Sequence, residues 1–179
     1  MTTTAHDLAL ASFRWVDGHV DVWPVFRDAE VLAAVVAGLA APFRGGAVTA
    51  VCGVESRGFL LGGAVAVALG VGFVPVRKDA GLFPGDKVVR ESAPDYRGLR
   101  HRLRLQRSTL STSDRVLFVD DWLETGSQAA TVREIVEACG AGWEGCGVIV
   151  DELGDDARRR ELGPVHSLLD ASELPPYVA

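Results

Sequence analysis

Short apolar runs alternate with longer helical patterns along this chain. Runs of this kind are typical of strands that are buried on both faces of a parallel sheet. They predict strands at residues 48–54, 72–76, 115–119, 145–150 and 165–169. The segments between them predict helices at residues 7–15, 28–41, 59–69, 128–139 and 155–162, with Asp28 capping the second helix. The alternation predicts an α/β domain with a mostly parallel central sheet flanked by helices.

One predicted strand has a different pattern. Between residues 99 and 105, arginines alternate with leucines at the period of two that a half-exposed strand shows. The arginines are Arg100, Arg102 and Arg104. The pattern predicts a solvated basic edge strand that its charge protects from pairing, with contact to a pyrophosphate or a partner subunit as the alternative.

The length and composition predict one domain that spans residues 1–179. A chain of 179 residues with 48% hydrophobic content can bury one substantial core. Its net charge of −6 argues against nucleic acid or a membrane surface as partners, because such binders need a basic field. Residues 79–98 are rich in glycine, proline and charge, which predicts a mobile loop that covers a site.

The chain also carries indications of its compartment. Residues 1–7 lack the charged and apolar regions of a secretory signal, and glycines and a proline interrupt the apolar stretch at residues 59–76. The three cysteines are Cys52, Cys139 and Cys146, and their spacing is not that of a metal site. We therefore expect a cytoplasmic protein with reduced thiols.

The most informative segment follows the strand at residues 115–119. Asp120 and Asp121 come at the carboxyl end of this strand, where parallel sheets bind ligands, and they can accept hydrogen bonds from vicinal hydroxyls. Thr125, Gly126, Ser127 and Gln128 then open a helix, whose N-terminal N–H groups favour an anion. A phosphorylated sugar suits both features, since its hydroxyls match the two acids and its phosphate matches the helix N-terminus. A metal site or a merely polar strand end is the alternative.

These residues resemble the phosphoribosyl pyrophosphate motif of the type I phosphoribosyltransferase family. The resemblance implies that Asp120 and Asp121 hold the ribose hydroxyls and that residues 125–128 hold the 5'-phosphate. Further segments are similar to the adenine phosphoribosyltransferase branch, and the likeness extends from about residue 22 onward. They are residues 23–28, 54–59, 69–78 and, more loosely, 157–168.

Four cations follow strands or lie in the predicted loop. Arg57, Arg77, Lys78 and Lys87 suit a pyrophosphate that gains charge as it departs. Surface salt bridges are the alternative for each cation taken singly. The resemblance also implies an N-terminal element at residues 1–30 that contacts the base through Val25, Phe26 and Arg27.

The departures from the family pattern lie near the base and the phosphate. Glu124 stands where family members usually carry alanine, and in a related branch an acid at this place exchanges a proton with the purine. Solvent exposure or an ion pair with Arg27 is the alternative role for Glu124. Asp95 resembles the family's loop acid, which protonates the base, if a short gap is allowed. Trp122 replaces a small aliphatic residue and suits either stacking on a base or packing behind the loop.

The resemblance implies a phosphoribosyltransferase that joins a purine-type base, adenine first among them, to phosphoribosyl pyrophosphate. Mg²⁺ would arrive bound to the substrate, so no dedicated metal cage is expected. A homodimer is implied as well. The alternatives are a transferase for a 6-oxopurine or a specialised heterocycle, and a non-catalytic sensor of phosphoribosyl pyrophosphate or a nucleotide.

Overall fold

A computed structural model describes residues 3–78 and 82–176 of the chain. Its helices are α1 (Ala5–Ser12), α2 (Trp23–Arg27), α3 (Ala29–Ala40), α4 (Arg57–Leu69), α5 (Ser127–Ala138) and α6 (Asp156–Leu162). Its strands are β1 (Arg14–Val16), β2 (His19–Asp21), β3 (Ala50–Val54), β4 (Gly72–Lys78), β5 (Lys87–Glu91), β6 (Arg102–Gln106), β7 (Arg115–Leu123), β8 (Gly142–Asp151) and β9 (Val165–Asp170). Residues 79–81 of the predicted mobile loop lie outside the described residues.

One mixed sheet organises the fold. Its seven strands have the order β5-β6-β4-β3-β7-β8-β9. The neighbours from β4 to β9 pair in parallel, whereas β6 is antiparallel to both β4 and β5. The sequence prediction of a mostly parallel sheet flanked by helices is confirmed.

The prediction that the arginine-rich strand forms an edge was wrong. β6 lies between β4 and β5, and its leucines Leu103 and Leu105 are fully buried. The edge position belongs to β5, which pairs Val88 with Leu105 in the antiparallel register. The error arose because residues 87–91 were placed in a loop, although Val88 and Val89 have the β-branched character of a strand.

Both faces of the sheet are covered, as the continuous apolar runs predict. In β7, Leu117 and Val119 belong to a core cluster shared with α1, α3 and α4. Val116 and Phe118, on the opposite face, belong to a second cluster shared with α5. Alternate residues of one strand therefore anchor two cores, and the end of β7 is held rigidly from both sides.

The N-terminal region contains a hairpin that the sequence analysis missed. α1 ends at Ser12 rather than at residue 15, and β1 pairs with β2 in antiparallel register. The turn uses Asp17 and Gly18 with φ angles of 49° and 76°, which Asp-Gly accommodates well. The predicted cap of α3 is confirmed, because Asp28 Oδ1 accepts hydrogen bonds from the N–H groups of Glu30 at 2.9 Å and Val31 at 3.0 Å.

The cysteines are free thiols, as predicted. Cys52 and Cys146 are buried and Cys139 is half-buried. Burial raises the pKa of Cys52 well above its ordinary value and that of Cys146 to about 12. Among the described residues, none of the helices has the length and apolar character needed to cross a bilayer.

Two glycines let α4 approach the sheet next to the cleft. A Cβ atom built on Gly53 would lie 2.1 Å from the carbonyl oxygen of Gly58, and one built on Gly58 would lie 3.1 Å from Asp120 Oδ1. The first contact is with backbone and cannot be relieved by a rotamer change. The start of α4 is thus seated directly on β3 and on the end of β7.

We expect Gly53→Ala to lower the free energy of unfolding by about 3 kcal/mol or more, because backbone must move to admit the methyl group. Urea denaturation measures the loss. Gly63→Ala in α4 is the matched control, since nothing lies within 4 Å of its added Cβ. The control is expected to be neutral or to stabilise by up to about 1 kcal/mol. Equal stabilities for the two variants would contradict the packing account.

Candidate active site

A cleft of about 660 Å³ opens at the carboxyl ends of β3, β4 and β7. Its walls come from the β3–α4 turn, the β7–α5 loop, the N-terminal hairpin and residues 95–101. Ligands of open α/β sheets bind at this edge, because loops and helix N-termini converge there. Most of the residues that the sequence analysis selected meet in this cleft.

The acid pair lies on the floor of the cleft. Asp121 is buried, and its backbone N–H donates a hydrogen bond of 2.9 Å to Asp120 Oδ1. Burial and, after it, the charge of Asp121 raise the pKa of Asp120 well above its ordinary value. The ionised form of Asp120 is therefore disfavoured in this cleft, and a cation or hydroxyl donors from a ligand would stabilise it.

Arg57 provides the nearest cation. Its Nε lies 2.9 Å from Asp121 Oδ2 in an ion pair. The ion pair lacks hydrogen-bond geometry, so Asp121 Oδ2 is a buried oxygen without a hydrogen-bond partner among the described residues. Since the Arg57 side chain is 40% exposed, it can pivot about this contact toward a ligand. The peptide bond between Glu55 and Ser56, just before Arg57, is cis.

The β7–α5 loop forms an anion cradle. Gly126 has a φ of 67°, and a Cβ atom there would lie 2.9 Å from Arg158 Cγ. Thr125 Oγ1 accepts a hydrogen bond of 3.3 Å from Ser127 N and donates one of 3.1 Å to Ser127 Oγ. α5 begins at Ser127, and the next two residues of its first turn, Gln128 and Ala129, also line the cleft, where the N-terminus of the helix favours an anion.

Lys78 lines the cleft, but Arg77 and Lys87 do not. Arg77 donates hydrogen bonds of 3.3 Å to both carboxylate oxygens of Glu55, and this contact lowers the pKa of Glu55. Glu55 Oε2 in turn accepts a hydrogen bond of 3.2 Å from Lys78 N. Arg77 therefore braces the segment that carries Lys78, while Lys87 lies on β5 and donates to the carbonyl oxygen of Gly85.

The residues of the N-terminal element that line the cleft differ from the three that the resemblance assigns to the base. Val25 is fully buried in the core, and Arg27 lines a separate cavity of about 380 Å³. Phe26 packs at 5.5 Å between ring centroids against Trp23, which does line the cleft. The residues that reach the cleft from this element are His19, Val20, Val22 and Trp23. The Asp-Gly turn signal of the hairpin would have indicated them.

Glu124 faces the cleft and is half-buried. Burial, followed by the negative charges of Glu152 and Asp95, raises the pKa of Glu124 above its ordinary value. Glu152 was missed by the sequence analysis, because it lies far away in sequence, just after β8. No ion pair to Arg27 forms, since Arg27 lines the other cavity.

Asp95 lies in the same cleft, but its pKa is lowered where that of Glu124 is raised. Its Oδ1 accepts hydrogen bonds of 2.9 Å from the N–H groups of Arg97 and Leu99, and its Oδ2 lies 3.1 Å from His101 Nε2. Burial acts to raise the pKa of Asp95, but these hydrogen bonds outweigh it and leave the pKa below its ordinary value. Asp95 is therefore the acid of the cleft that holds a proton less readily than Glu124.

Trp122 both packs and lines the cleft. Its indole lies edge-on to Phe13, with 6.3 Å between ring centroids and an interplanar angle of 83°. Its Nε1–H donates a hydrogen bond of 2.7 Å to Glu152 Oε2. The indole of Trp122 thus packs against Phe13 at the end of α1 and also borders the cleft.

Two curated relatives resemble this chain over most of its length. The adenine phosphoribosyltransferase of Nocardioides sp. is 45% identical over 149 residues, which cover 81% of this chain and 78% of that protein. The adenine phosphoribosyltransferase of Streptomyces clavuligerus is 34% identical over 178 residues, covering 96% and 98%. No protein-family profile matched the chain.

Solved structures of adenine phosphoribosyltransferases have the same fold as this chain. The adenine phosphoribosyltransferase of Rhodothermus marinus superposes with a TM-score of 0.81 at 32% identity, over 93% of this chain and 98% of that one. The enzyme of Giardia lamblia, solved in complex with 9-deazaadenine, superposes with a TM-score of 0.84 at 28% identity, over 94% and 98%.

The fold and these relatives show that the chain is a type I phosphoribosyltransferase, and that it joins a purine-type base to phosphoribosyl pyrophosphate. The relatives narrow the class: the chain belongs to the adenine phosphoribosyltransferase family.

Proposed function

We propose that this enzyme converts adenine and phosphoribosyl pyrophosphate to adenosine 5'-monophosphate (AMP) and pyrophosphate. The observation that supports it most is the convergence in one cleft of Asp120 and Asp121 with the N-terminus of α5 and with Arg57. Hydroxyls, phosphate and pyrophosphate each find groups of suitable charge there. The names of the relatives point to adenine as the base.

Each part of the cleft has a role in this proposal. Thr125, Gly126, Ser127 and Gln128 bind the 5'-phosphate through the α5 N-terminus. Asp120 and Asp121 orient the ribose and stabilise the positive charge that develops at its anomeric carbon as the C–O bond to pyrophosphate breaks. Arg57 and Lys78 neutralise the departing pyrophosphate.

Two of the predicted cations do not line the cleft and would act on the substrate only indirectly: Arg77 and Lys87. Arg77 holds Glu55, which holds the backbone of Lys78. We propose that residues 82–86, which lie just before β5, close over the substrates, exclude water and bring Lys87 closer. Residues 1–30 supply the base side within a domain of residues 1–179.

Mg²⁺ fits the same site. Asp121 Oδ2 is buried and accepts no hydrogen bond among the described residues, and its one ion pair is to the half-exposed Arg57, which can yield to the cation. Carboxylate oxygens suit this hard cation. Asp120 and Asp121 would hold Mg²⁺ with the substrate's oxygens, and the bound cation supplies positive charge to the leaving group. The described residues contain no cluster of three or more acids, histidines or cysteines that would cage a metal.

Glu124 is the better candidate for the proton of the base. The new C–N bond forms as a ring nitrogen attacks the anomeric carbon, and the base must then lose its ring N–H proton. A half-buried carboxylate with a raised pKa accepts such a proton readily. Asp95, which we propose as the second acid of the site, is already committed to three hydrogen-bond contacts that favour its ionised form.

A transferase for a 6-oxopurine or a specialised heterocycle is the second candidate. Glu124 and Trp122, which depart from the family pattern, both line the cleft. Pyrophosphate release with adenine, hypoxanthine, guanine, xanthine and orotate, each tested with phosphoribosyl pyrophosphate and Mg²⁺, separates the candidates. Turnover with adenine alone supports the first, and turnover with another base but not adenine contradicts it.

We further propose a cytoplasmic homodimer. On α4, Leu60 is 52% exposed and Val67 is 82% exposed, and their spacing of seven residues places them on one face. An exposed apolar helix face of this kind suits burial against a second copy of the chain.

We expect Val67→Asp to convert the dimer to monomers, because a charge would be buried without a partner at the interface. Sedimentation velocity reports the change. Ala33→Asp on the exposed face of α3 is the control and should leave the sedimentation coefficient unchanged. A dimer that persists in Val67→Asp would place the interface elsewhere.

A further inference from the structure

Glu152 lies close to the acid pair in space although it is remote in sequence. β7 and β8 are neighbours, with Trp122 opposite Val150 in the parallel register. Glu152 follows the end of β8, and its backbone N–H donates a hydrogen bond of 2.8 Å to the carbonyl oxygen of Leu123. Its side chain is thereby brought beside Trp122 at the rim of the cleft.

The contact between Glu152 and Trp122 is directional. The indole Nε1–H has a single hydrogen to donate, and Glu152 Oε2 accepts it at 2.7 Å. Phe13 holds the ring from another direction, edge-on at 6.3 Å. A hydrogen bond at one edge and an aromatic contact at the other leave the indole little freedom to rotate.

The fixed ring borders the part of the cleft that the sugar and phosphate groups do not fill. Asp120, Asp121 and the α5 N-terminus account for ribose and phosphate, and Arg57 for pyrophosphate. Besides Trp122, the remaining lining of the cleft includes Glu124 and the two residues that follow the N-terminal hairpin, Val22 and Trp23. Aromatic and apolar walls with one flanking carboxylate suit a planar heteroaromatic base.

We propose that Glu152 is a positioning residue for base recognition: its hydrogen bond to Trp122 holds the indole as the wall against which the base binds. This inference rests on the proposed function, because it assumes that the base occupies this part of the cleft. Glu152 itself would contact neither the ribose nor the phosphates. Among binding affinities, its effect should therefore appear in that for ligands with a base and not in that for ribose 5-phosphate.

Calorimetric titration with AMP and with ribose 5-phosphate separates the base from the rest of the ligand. We expect Glu152→Leu to weaken AMP binding roughly tenfold, as loss of a charge-assisted hydrogen bond does, and to leave ribose 5-phosphate binding unchanged. Glu152→Gln keeps an acceptor oxygen and should change AMP binding by less than about threefold. Glu137→Leu, at an exposed ion pair on α5, is the control for loss of a surface carboxylate.

A double-variant cycle tests whether Glu152 acts through Trp122. If it does, Glu152→Leu should weaken AMP binding no further once Trp122→Phe has removed the indole N–H. If the fold-changes of the two single variants multiply in the double variant, the positioning role is contradicted. Equal losses of affinity for AMP and ribose 5-phosphate in Glu152→Leu would contradict it as well. A Glu152→Leu variant that binds AMP like the wild type would overturn the role as well.

The outcome also distinguishes this inference from the proposed function. A wild-type protein that binds neither AMP nor ribose 5-phosphate would overturn both. A wild-type protein that binds both ligands, together with a Glu152→Leu variant that does the same, would overturn the positioning role alone. Glu152→Gln guards against misfolding, because it changes charge but little volume.

Discussion

Asp120→Asn is expected to make the protein more stable and nearly inactive. Burial raises the pKa of Asp120 well above its ordinary value, so the folded state binds a proton more tightly there than the unfolded chain does. Stability from this group is therefore lost as pH rises above the ordinary range of an aspartate pKa, and at neutral pH the carboxylate is a liability. The neutral amide of asparagine removes the cost of burying this carboxylate, and we expect a gain on the order of 1 kcal/mol in the free energy of unfolding.

The same substitution removes a charge that the proposed mechanism needs. Without it, positive charge at the anomeric carbon is less well stabilised, and kcat/KM for phosphoribosyl pyrophosphate should fall by about 100-fold or more. Denaturant titrations at several pH values, together with steady-state kinetics, measure both effects. A variant that is inactive and also less stable than the wild type at neutral pH would contradict this explanation of Asp120.

Asp114, just before the opposite end of β7, provides a control of opposite sign. It accepts hydrogen bonds from Ser111 N at 2.7 Å, from Ser111 Oγ at 2.8 Å and from Thr49 Oγ1 at 2.9 Å, and these lower its pKa. Its stabilisation is present above the pKa of the unfolded state and is lost as pH falls through the folded pKa. Asp114→Asn should therefore destabilise the protein at neutral pH, and its activity per folded molecule should be unchanged because Asp114 does not line the cleft.

Glu124→Gln should reduce kcat by about 100-fold or more if Glu124 takes the proton of the base. Because burial and neighbouring charges raise the pKa of Glu124, the wild-type rate should fall at acid pH with a midpoint above that of an ordinary glutamate. The fall occurs because the protonated carboxyl cannot accept a proton. The Glu124→Gln variant should be slow at every pH, and its rate should not show this fall at acid pH.

Initial rates of AMP formation from pH 4 to pH 8 test the role of Glu124. Glu124→Ala should behave like Glu124→Gln, since both lack the carboxylate. Turnover that is unchanged in both variants would remove Glu124 from the mechanism. Asp95→Asn would then be the next variant to test, because Asp95 is the second cleft acid proposed to act on the base.

The sequence predicts the rigid half of the site well. Asp120 and Asp121 lie near the carboxyl end of β7, whose apolar run is unambiguous, and Gly126 and Ser127 open α5, so one continuous segment fixes both the acids and the anion cradle. Arg57 is equally predictable, because it begins the helix after the neighbouring strand. Local sequence pattern suffices where strand, loop and helix follow one another directly.

The base side was harder to predict because its geometry depends on contacts between distant segments. Trp122 meets Phe13 and Glu152, which lie more than a hundred residues before it and 30 residues after it. The short strands of the N-terminal hairpin, with Trp15 and Val16 before the turn, gave a pattern that a helix could also fit. In the same way, β5 was hidden in a segment whose glycines and prolines suggested a loop.

A crystal structure with AMP bound tests the central claim most directly. We predict the 5'-phosphate at the backbone N–H groups of residues 125–128, the ribose hydroxyls within hydrogen-bond distance of Asp120 and Asp121, and adenine between the N-terminal hairpin and Trp122. AMP bound with its phosphate outside the α5 N-terminus, for example in the cavity beside Arg14 and Arg27, would contradict the account.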